Sequence, residues 1–325
     1  MINQTDFTSL TLDLQDIFNE VASAKVGENV GFQVFKVMDT NRRSFIHQLL
    51  HGVSGIKRVT PGQDLPRVNT EQGDQITWTQ EYFGAIVAVT KEMRKFDLFD
   101  EIEGLARSIV EDSFDKVDQS FADVLSSGGA TSYQDVYGDS VSAVGPDGLA
   151  LFSASHSNPL SSATYSNIIT DGTTTNPALS RVAIVNWRAV GKKHSDPNGL
   201  LRPIDYDTLI VGPDNEDLAQ RIVESDQLSG VGNNDINPLK GKIKHVIVWP
   251  RLATASDGTD TSAFWYLADM KKVKETLQAK FAERPSLDAP EQAYANKNWD
   301  YSIDYFYTVG RGYAPYIARS DATLS

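Results

Sequence analysis

Residues 96–125, FDLFDEIEGLARSIVEDSFDKVDQSFADVL, decide the fold. Phe99, Ile102, Ala106, Val110, Phe114, Val117, Phe121 and Leu125 recur every three or four residues, and Leu98, Leu105, Ile109 and Val124 widen the stripe. That spacing is the period of an α-helix with one apolar side. No proline interrupts it, and Gly128-Gly129 supplies the stop. A single helix from Phe96 to Leu125 would span about 45 Å at a rise of ~1.5 Å per residue. The opposite side carries Asp97, Asp100, Glu103, Glu111, Asp115 and Asp118 and is expected to be solvated. A helix this long, buried along one side, is a spine for whatever packs on it.

Upstream of the spine the period changes. β-branched and aromatic residues dominate Ile76-Thr77-Trp78-Thr79-Gln80-Glu81-Tyr82 and the run from Phe83 to Val89. Leu65-Pro66-Arg67-Val68 is extended by its proline, and Asn69 to Asp74 is turn chemistry. Residues 56–91 therefore read as a long β-hairpin with a polar tip, and a two-stranded ribbon is marginal without a partner surface. Residues 1–55 read as an arm with short helices. Leu10, Leu14, Ile17, Phe18 and Val21 have helical spacing with Asp13 as N-cap, and a second short apolar pattern runs through Phe45, Ile46, Leu49 and Leu50.

Downstream, residues 130–180 are rich in Ser, Thr, Asn and Gly and predict loops with short strands. A helix follows through Val182, Val185, Trp187 and Val190, then a strand at Thr208 to Val211. Gly212-Pro213 breaks the chain, and Asp214 is placed to cap a helix through Leu218, Ala219, Ile222 and Val223. Further strands are expected at Lys244 to Trp249 and Phe264 to Leu267. The aromatic run from Asn298 to Val309 is strand again, and density of this kind marks buried sheet or interface. No internal repeat is present, which excludes solenoids and propellers.

The bulk composition narrows the function. The chain has 325 residues, 40% hydrophobic and 22% charged, enough for one large or two ordinary domains. It has no cysteine, so disulfides, thiolate nucleophiles and cysteine-held metals are excluded. A net charge of -13 opposes an electrostatic grip on nucleic acid, although an acidic wall could enclose DNA while repelling it. The start, MINQTDFTSLTLDLQD, lacks the basic and apolar regions of a signal peptide, and no run approaches the ~20 apolar residues of a membrane span. A soluble protein outside the secretory route is expected.

Catalytic motifs are mostly missing. There is no phosphate loop, serine elbow or His-Glu-x-x-His pair, and five histidines are scattered. His156 lies among Ser153, Ser155 and Ser157, which suggests a nucleophile and base, but a loop histidine bonded to local backbone is the preferred reading. The segment Asp139 to Asp147, with Gly138, Gly145 and Gly148, lacks the ligand order of a calcium loop. Trp78 and Trp299 could stack a base or sugar and are better read as packing anchors. Arg42-Arg43 and Lys57-Arg58 near the arm could touch nucleic acid or a neighbour's carboxylates, and the neighbour is the preferred reading. No catalytic residue, cofactor or metal is expected, and the protein is read as a non-enzyme.

The order of elements resembles the Johnson fold of tailed-phage major capsid proteins and encapsulins, an α+β fold. Locally the chain is most similar to the Mu-like major head subunits, through Asp147-Gly148, Leu151-Phe152, His156-Ser157-Asn158, the strand–Pro–helix from Leu209 to Ala219, Asn237 to Gly241, and Phe264 to Asp269. Tyr305 to Tyr316 fits that family only loosely. The resemblance implies an N-terminal arm (1–55), an extended β-hairpin loop (56–91), a peripheral domain (92–135 and 296–325, the last strands returning to its sheet) and an axial domain (136–295). It implies hexamers and pentamers of the chain itself forming an icosahedral head around double-stranded DNA. Portal, scaffold and decoration proteins would be partners, and no membrane. The protein would be a virion component assembled in the host bacterial cytoplasm. Trp78 and Tyr82 on the hairpin and Phe99, Phe114 and Phe121 on the spine are the expected interface residues. The alternatives are an encapsulin shell around an enzyme cargo, a hydrolase built on His156, and a tail component.

Overall fold

The spine forms as one uninterrupted helix in a computed structural model that describes residues 4–50, 58–65, 72–96, 99–157, 164–195, 200–227, 236–288, 291–293, 295 and 297–322. In chain order the elements are α1 (Gln4–Glu28), α2 (Gly31–Val34), β1 (Lys36–Asp39), β2 (Ser44–Leu50), β3 (Gln72–Thr79), β4 (Glu81–Val89), α3 (Lys91–Lys95) and α4 (Phe99–Ser126), the spine. Next come β5 (Ser132–Gln134), β6 (Ser140–Ser142), β7 (His156–Ser157), β8 (Thr164–Tyr165), α5 (Arg181–Lys192), β9 (Thr208–Val211) and α6 (Glu216–Glu224). The rest are β10 (His245–Val248), β11 (Trp265–Ala268), α7 (Val273–Thr276), β12 (Leu277–Leu287), β13 (Glu291–Gln292), β14 (Trp299–Arg311) and β15 (Ile317–Ser320). Two compact units result: Met1–Phe45, Trp78–Phe121 and Gln278–Gly310 form the first, and Ile46–Thr77, Ala122–Leu277 and Arg311–Ser325 the second.

The first unit is built on β14. β4 pairs with it antiparallel from Val89↔Trp299 to Glu81↔Tyr307, and β12 continues the sheet to β1, which runs parallel to it. Along β14, Tyr301, Ile303, Tyr305 and Tyr307 are buried, while Ser302, Asp304, Phe306 and Thr308 are half-buried. This alternation gives the sheet one core face. Phe18 and Val21 of α1 and Val110 and Phe114 of α4 meet Ile303 there. Phe121 stacks on Phe35 at 4.8 Å and meets Phe32 edge-on at 5.5 Å. The N-terminal stretch is one 25-residue helix and not several short ones, because nothing between Gln4 and Val26 breaks it. Asp13 therefore lies inside α1 and is not a cap. The acidic side of the spine is also not uniformly solvated: Glu111 is exposed, Asp115 meets Lys25 at 3.3 Å, and Asp118 is buried. The side chains of Asp97, Asp100 and Glu103 lie outside the described residues.

The ribbon differs from expectation. β3 pairs with β2, so Phe45 to Leu50 is a strand and not a helix, and β4 leaves the ribbon for β14. A four-residue apolar pattern does not separate helix from strand, and here the ladder offered by β3 decides. The polar residues 69–71 at the expected tip lie outside the described residues.

The second unit holds a four-stranded sheet in the order β10-β9-β11-β15. β10 and β9 are parallel, and the other two pairs are antiparallel. Every residue of β9 and β11 is buried, which fits their unbroken apolar runs. Ala183, Ile184 and Trp187 of α5 and Ala219 and Val223 of α6 pack on Leu209, Val211, Trp265 and Leu267. Ser180 caps α5 by accepting from the Ala183 N–H at 3.2 Å. Asp214 caps nothing. It sits in a 3-10 turn, and Asn215 precedes α6 without a side-chain cap bond. The C-terminal strands part company: β14 joins the first unit's sheet, and β15 becomes the fourth strand of this one.

Candidate assembly surfaces and a buried histidine

Of the five expected interface residues, three are core. Trp78, at the end of β3, is 7% exposed and lies so close to Gly310 that a Cβ there would fall 2.3 Å from its ring. The Lys280 ammonium sits 5.5 Å from that ring and 4.2 Å from the Phe45 ring. Phe114 and Phe121 are buried between the spine and its own subunit's elements. Phe99 opens α4, and its side chain lies outside the described residues.

Tyr82 is different: it is 61% exposed. Its ring lies 4.5 Å from Phe306, its cross-strand partner, and its hydroxyl donates to Asp304 at 3.3 Å. The Asp304 carboxylate beside it raises the phenol above its ordinary pKa by charge repulsion. Ile86, on the same face of β4 at period two, is 69% exposed and was not singled out from sequence. Exposure is its only distinguishing signal, and a strand of uniformly apolar residues does not reveal which face is open. Among the described residues β4 pairs only with β14, so it forms an edge of its sheet.

His156 is 2% exposed within the second unit. Its Nδ1 is 2.6 Å from Asp147 Oδ2, its Nε2 is 3.2 Å from the Leu151 carbonyl, and Tyr165 stacks on the ring at 5.0 Å. Burial works against the Asp147 charge. The His156 hydrogen bond, its Coulombic attraction and the Leu149 N–H outweigh that, and hold the carboxyl below the usual range. A small cavity beside the pair is lined by Asp74, Pro146, Ser157 and Tyr313. Among the described residues no serine hydroxyl bonds His156, and the nitrogen that a general base would use faces a backbone carbonyl. Nor does any group of three metal-ligating side chains occur among them. The arrangement ties loops together: Asn167 Nδ2 donates to the same Leu151 carbonyl at 2.7 Å and to that of Ala314 at 3.3 Å.

The family model described as phage capsid protein matches residues 74–317. The chain also superposes on the capsid of Ralstonia phage GP4 with a TM-score of 0.53 and 13% identity, covering 90% of this chain and 88% of that one. For the capsid of Myoviridae phage XM1 the TM-score is 0.52 at 9% identity, with 88% and 89% covered. For the capsid of a native GTA particle it is 0.53 at 10% identity, with 88% and 87% covered. At these identities the likeness to solved structures is one of fold. None of the curated proteins matches the chain.

Proposed function

The chain belongs to the phage capsid protein family, and from that membership we propose that it is the major head subunit of a tailed phage, assembling with copies of itself as hexamers and pentamers into an icosahedral shell around double-stranded DNA. It is a structural protein, not an enzyme. The observation that carries the reading is the family match over residues 74–317, which takes in most of the ribbon strand β3, the whole spine, and the strands of the two sheets except β1 and, beyond its first residue, β15.

The first unit fits a peripheral domain with its spine, the second an axial domain, α1 an arm, and the β2–β3 ribbon an extended loop. The motifs from Asp147 to Asn158 and from Phe264 to Asp269 favour the Mu-like major head subunits. Portal, scaffold and decoration proteins are the partners such a shell admits, with assembly in the host bacterial cytoplasm before incorporation into the virion. A net charge of -13 suits a wall that does not hold its DNA by sequence. In the first unit, Tyr82 and Ile86 present an exposed pair on one face of β4 to a neighbouring copy.

Negative-stain electron microscopy of the purified chain, alongside size-exclusion chromatography, tests the proposal. Closed polyhedral particles, or rings of five and six subunits, are expected. A monodisperse monomer or dimer at every salt concentration, with a co-expressed scaffold as well as without, overturns it.

A further inference from the structure

We propose that the outward face of α5 is where one copy of this chain grips the next around a ring, its counterpart being the acidic α6 face of that second copy. This rests on the shell reading above and adds the contact residues and their partner surface.

α5 is apolar on two opposite sides. Ala183, Ile184 and Trp187 point into the core. Val182 and Val185, 52% and 37% exposed, and the exposed Ala189 occupy the opposite face at i, i+3 and i+7. No charged residue stands on that outward face between Val182 and Ala189. β-branched side chains disfavour helix, so valines on an open helix face serve neither propensity nor solubility. A second apolar stripe, opposite the one that packs on the sheet, is a surface for a partner to cover.

Charge identifies the cover. Lys192 and Lys193, both exposed, place positive charge at the C-terminal end of the stripe. A second copy of the chain, at -13, is a macromolecule of the opposite sign. Its matching surface is on the same unit: α6 is entered through exposed Asp214 and Asp217, which make its N-terminal end acidic, and its exposed side continues through Gln220, Arg221 and Glu224. At the other end of α6 stands Ile236, 83% exposed, next to Asn237, whose amide donates to the Ile222 carbonyl at 2.7 Å. The apolar stripe with a basic end and the acidic face with an apolar end are different surfaces. Their union is head-to-tail, the geometry that closes a ring when the rotation allows it.

The test compares wild type, Val182→Asp/Val185→Asp, Lys192→Glu/Lys193→Glu, and the lysine pair combined with Asp214→Lys/Asp217→Lys. Sedimentation velocity and electron microscopy read assembly, and urea unfolding reads the fold. The valine pair and the lysine pair are each expected to reduce assembled protein by ~10-fold or more at an unchanged midpoint, and the four-site charge exchange is expected to restore assembly. Should the aspartates lower the midpoint, Val182→Thr/Val185→Thr, which keeps the shape and adds hydroxyls, decides in their place. Wild-type assembly in the valine variants overturns the α5 contact and leaves the shell reading intact. Failure of the charge exchange to restore assembly overturns α6 as the counterpart. A wild-type chain that never assembles removes the shell reading itself. Loss of DNA retention in the lysine pair, with assembly unchanged, would assign the basic end to nucleic acid and overturn the proposal.

Discussion

The backbone N–H of Gly31 donates to the buried carboxylate of Asp118 at 2.8 Å, fastening the first residue of α2 to the middle of the spine. A Cβ on Gly31 would lie 2.1 Å from Phe121 Cδ2 and 2.8 Å from Asp118 Oδ1. Phe121 is stacked on Phe35 and is fully buried, so it has no room to give.

Two substitutions probe this junction. Asp118→Ala leaves the Gly31 N–H without its charged acceptor and is expected to cost roughly 1.5–3 kcal/mol. Gly31→Ala overpacks the site and is expected to cost about 1–3 kcal/mol. Because both act on one contact, the double variant should lose less than the sum of the singles. Urea midpoints measure all three, and strict additivity would show that the contact does not couple them.

The junction also shows where sequence reasoning reached and where it stopped. The spine is legible because its apolar residues keep one period through 28 residues with no proline, and the single Gly104 does not interrupt it. β9 and β11 were legible as short apolar runs bounded by turns. Asp118 was assigned to a solvated face because charge in sequence reads as surface; its burial depends on Gly31, 87 residues away. α5 is legible as a helix, but its apolar pattern does not say which side faces inward. Val182, Val185 and Val190 are exposed, and Ile184 and Trp187 are buried, since both sets fit a helical period and only the sheet beneath selects one. β12 escaped notice because Pro285 and the polar Gln278, Lys280 and Glu283 mask its pattern. For the surface, a large aromatic in sequence marks core and interface alike. Trp78, Phe114 and Phe121 proved to be core, and Tyr82 lies on the surface.

Tyr82 and Ile86 should separate assembly from folding. Cross-strand pairs are worth about 0.2–1 kcal/mol, so Tyr82→Ser/Ile86→Ser should leave the subunit within that range of wild type. Assembly should fall at the same time, read by the fraction of protein eluting as particles. Unchanged particle yield would take the open face of β4 out of the contact set.

Asp147 predicts an acid-sensitive second unit. Its folded pKa is depressed, so its contribution to stability is fully present above the unfolded carboxylate value of ~3.9 and is lost as pH falls through the lower, folded value. Asp147→Asn removes this dependence. The midpoint difference between wild type and Asp147→Asn should therefore be constant near neutrality and shrink below about pH 4. A difference that grows as pH falls would contradict the sign of the shift.

Arg319 closes the spine at its other end. Its Nη1 donates to the carbonyls of Leu125 and Ser126 at 3.2 and 3.0 Å, the acceptors that a helix C-terminus leaves unpaired. The guanidinium lies over Phe152 at 4.8 Å and Phe264 at 5.1 Å, and its Nη2 donates to Asp321 at 2.9 Å. A lysine offers charge without the planar fork, so it cannot serve the carbonyls, the rings and the carboxylate together. Arg319→Lys is accordingly expected to cost roughly 1.5–3 kcal/mol. Gly129→Ala should damage the same cap from the other side, since its Cβ would lie 2.2 Å from Arg319 Nη2. Hydrogen exchange supplies the local readout: in both variants the last turn of α4 should exchange faster than in wild type, while amides of the first unit's sheet keep their protection. Equal loss in both places would mean that Arg319 supports the whole chain and not the end of one helix.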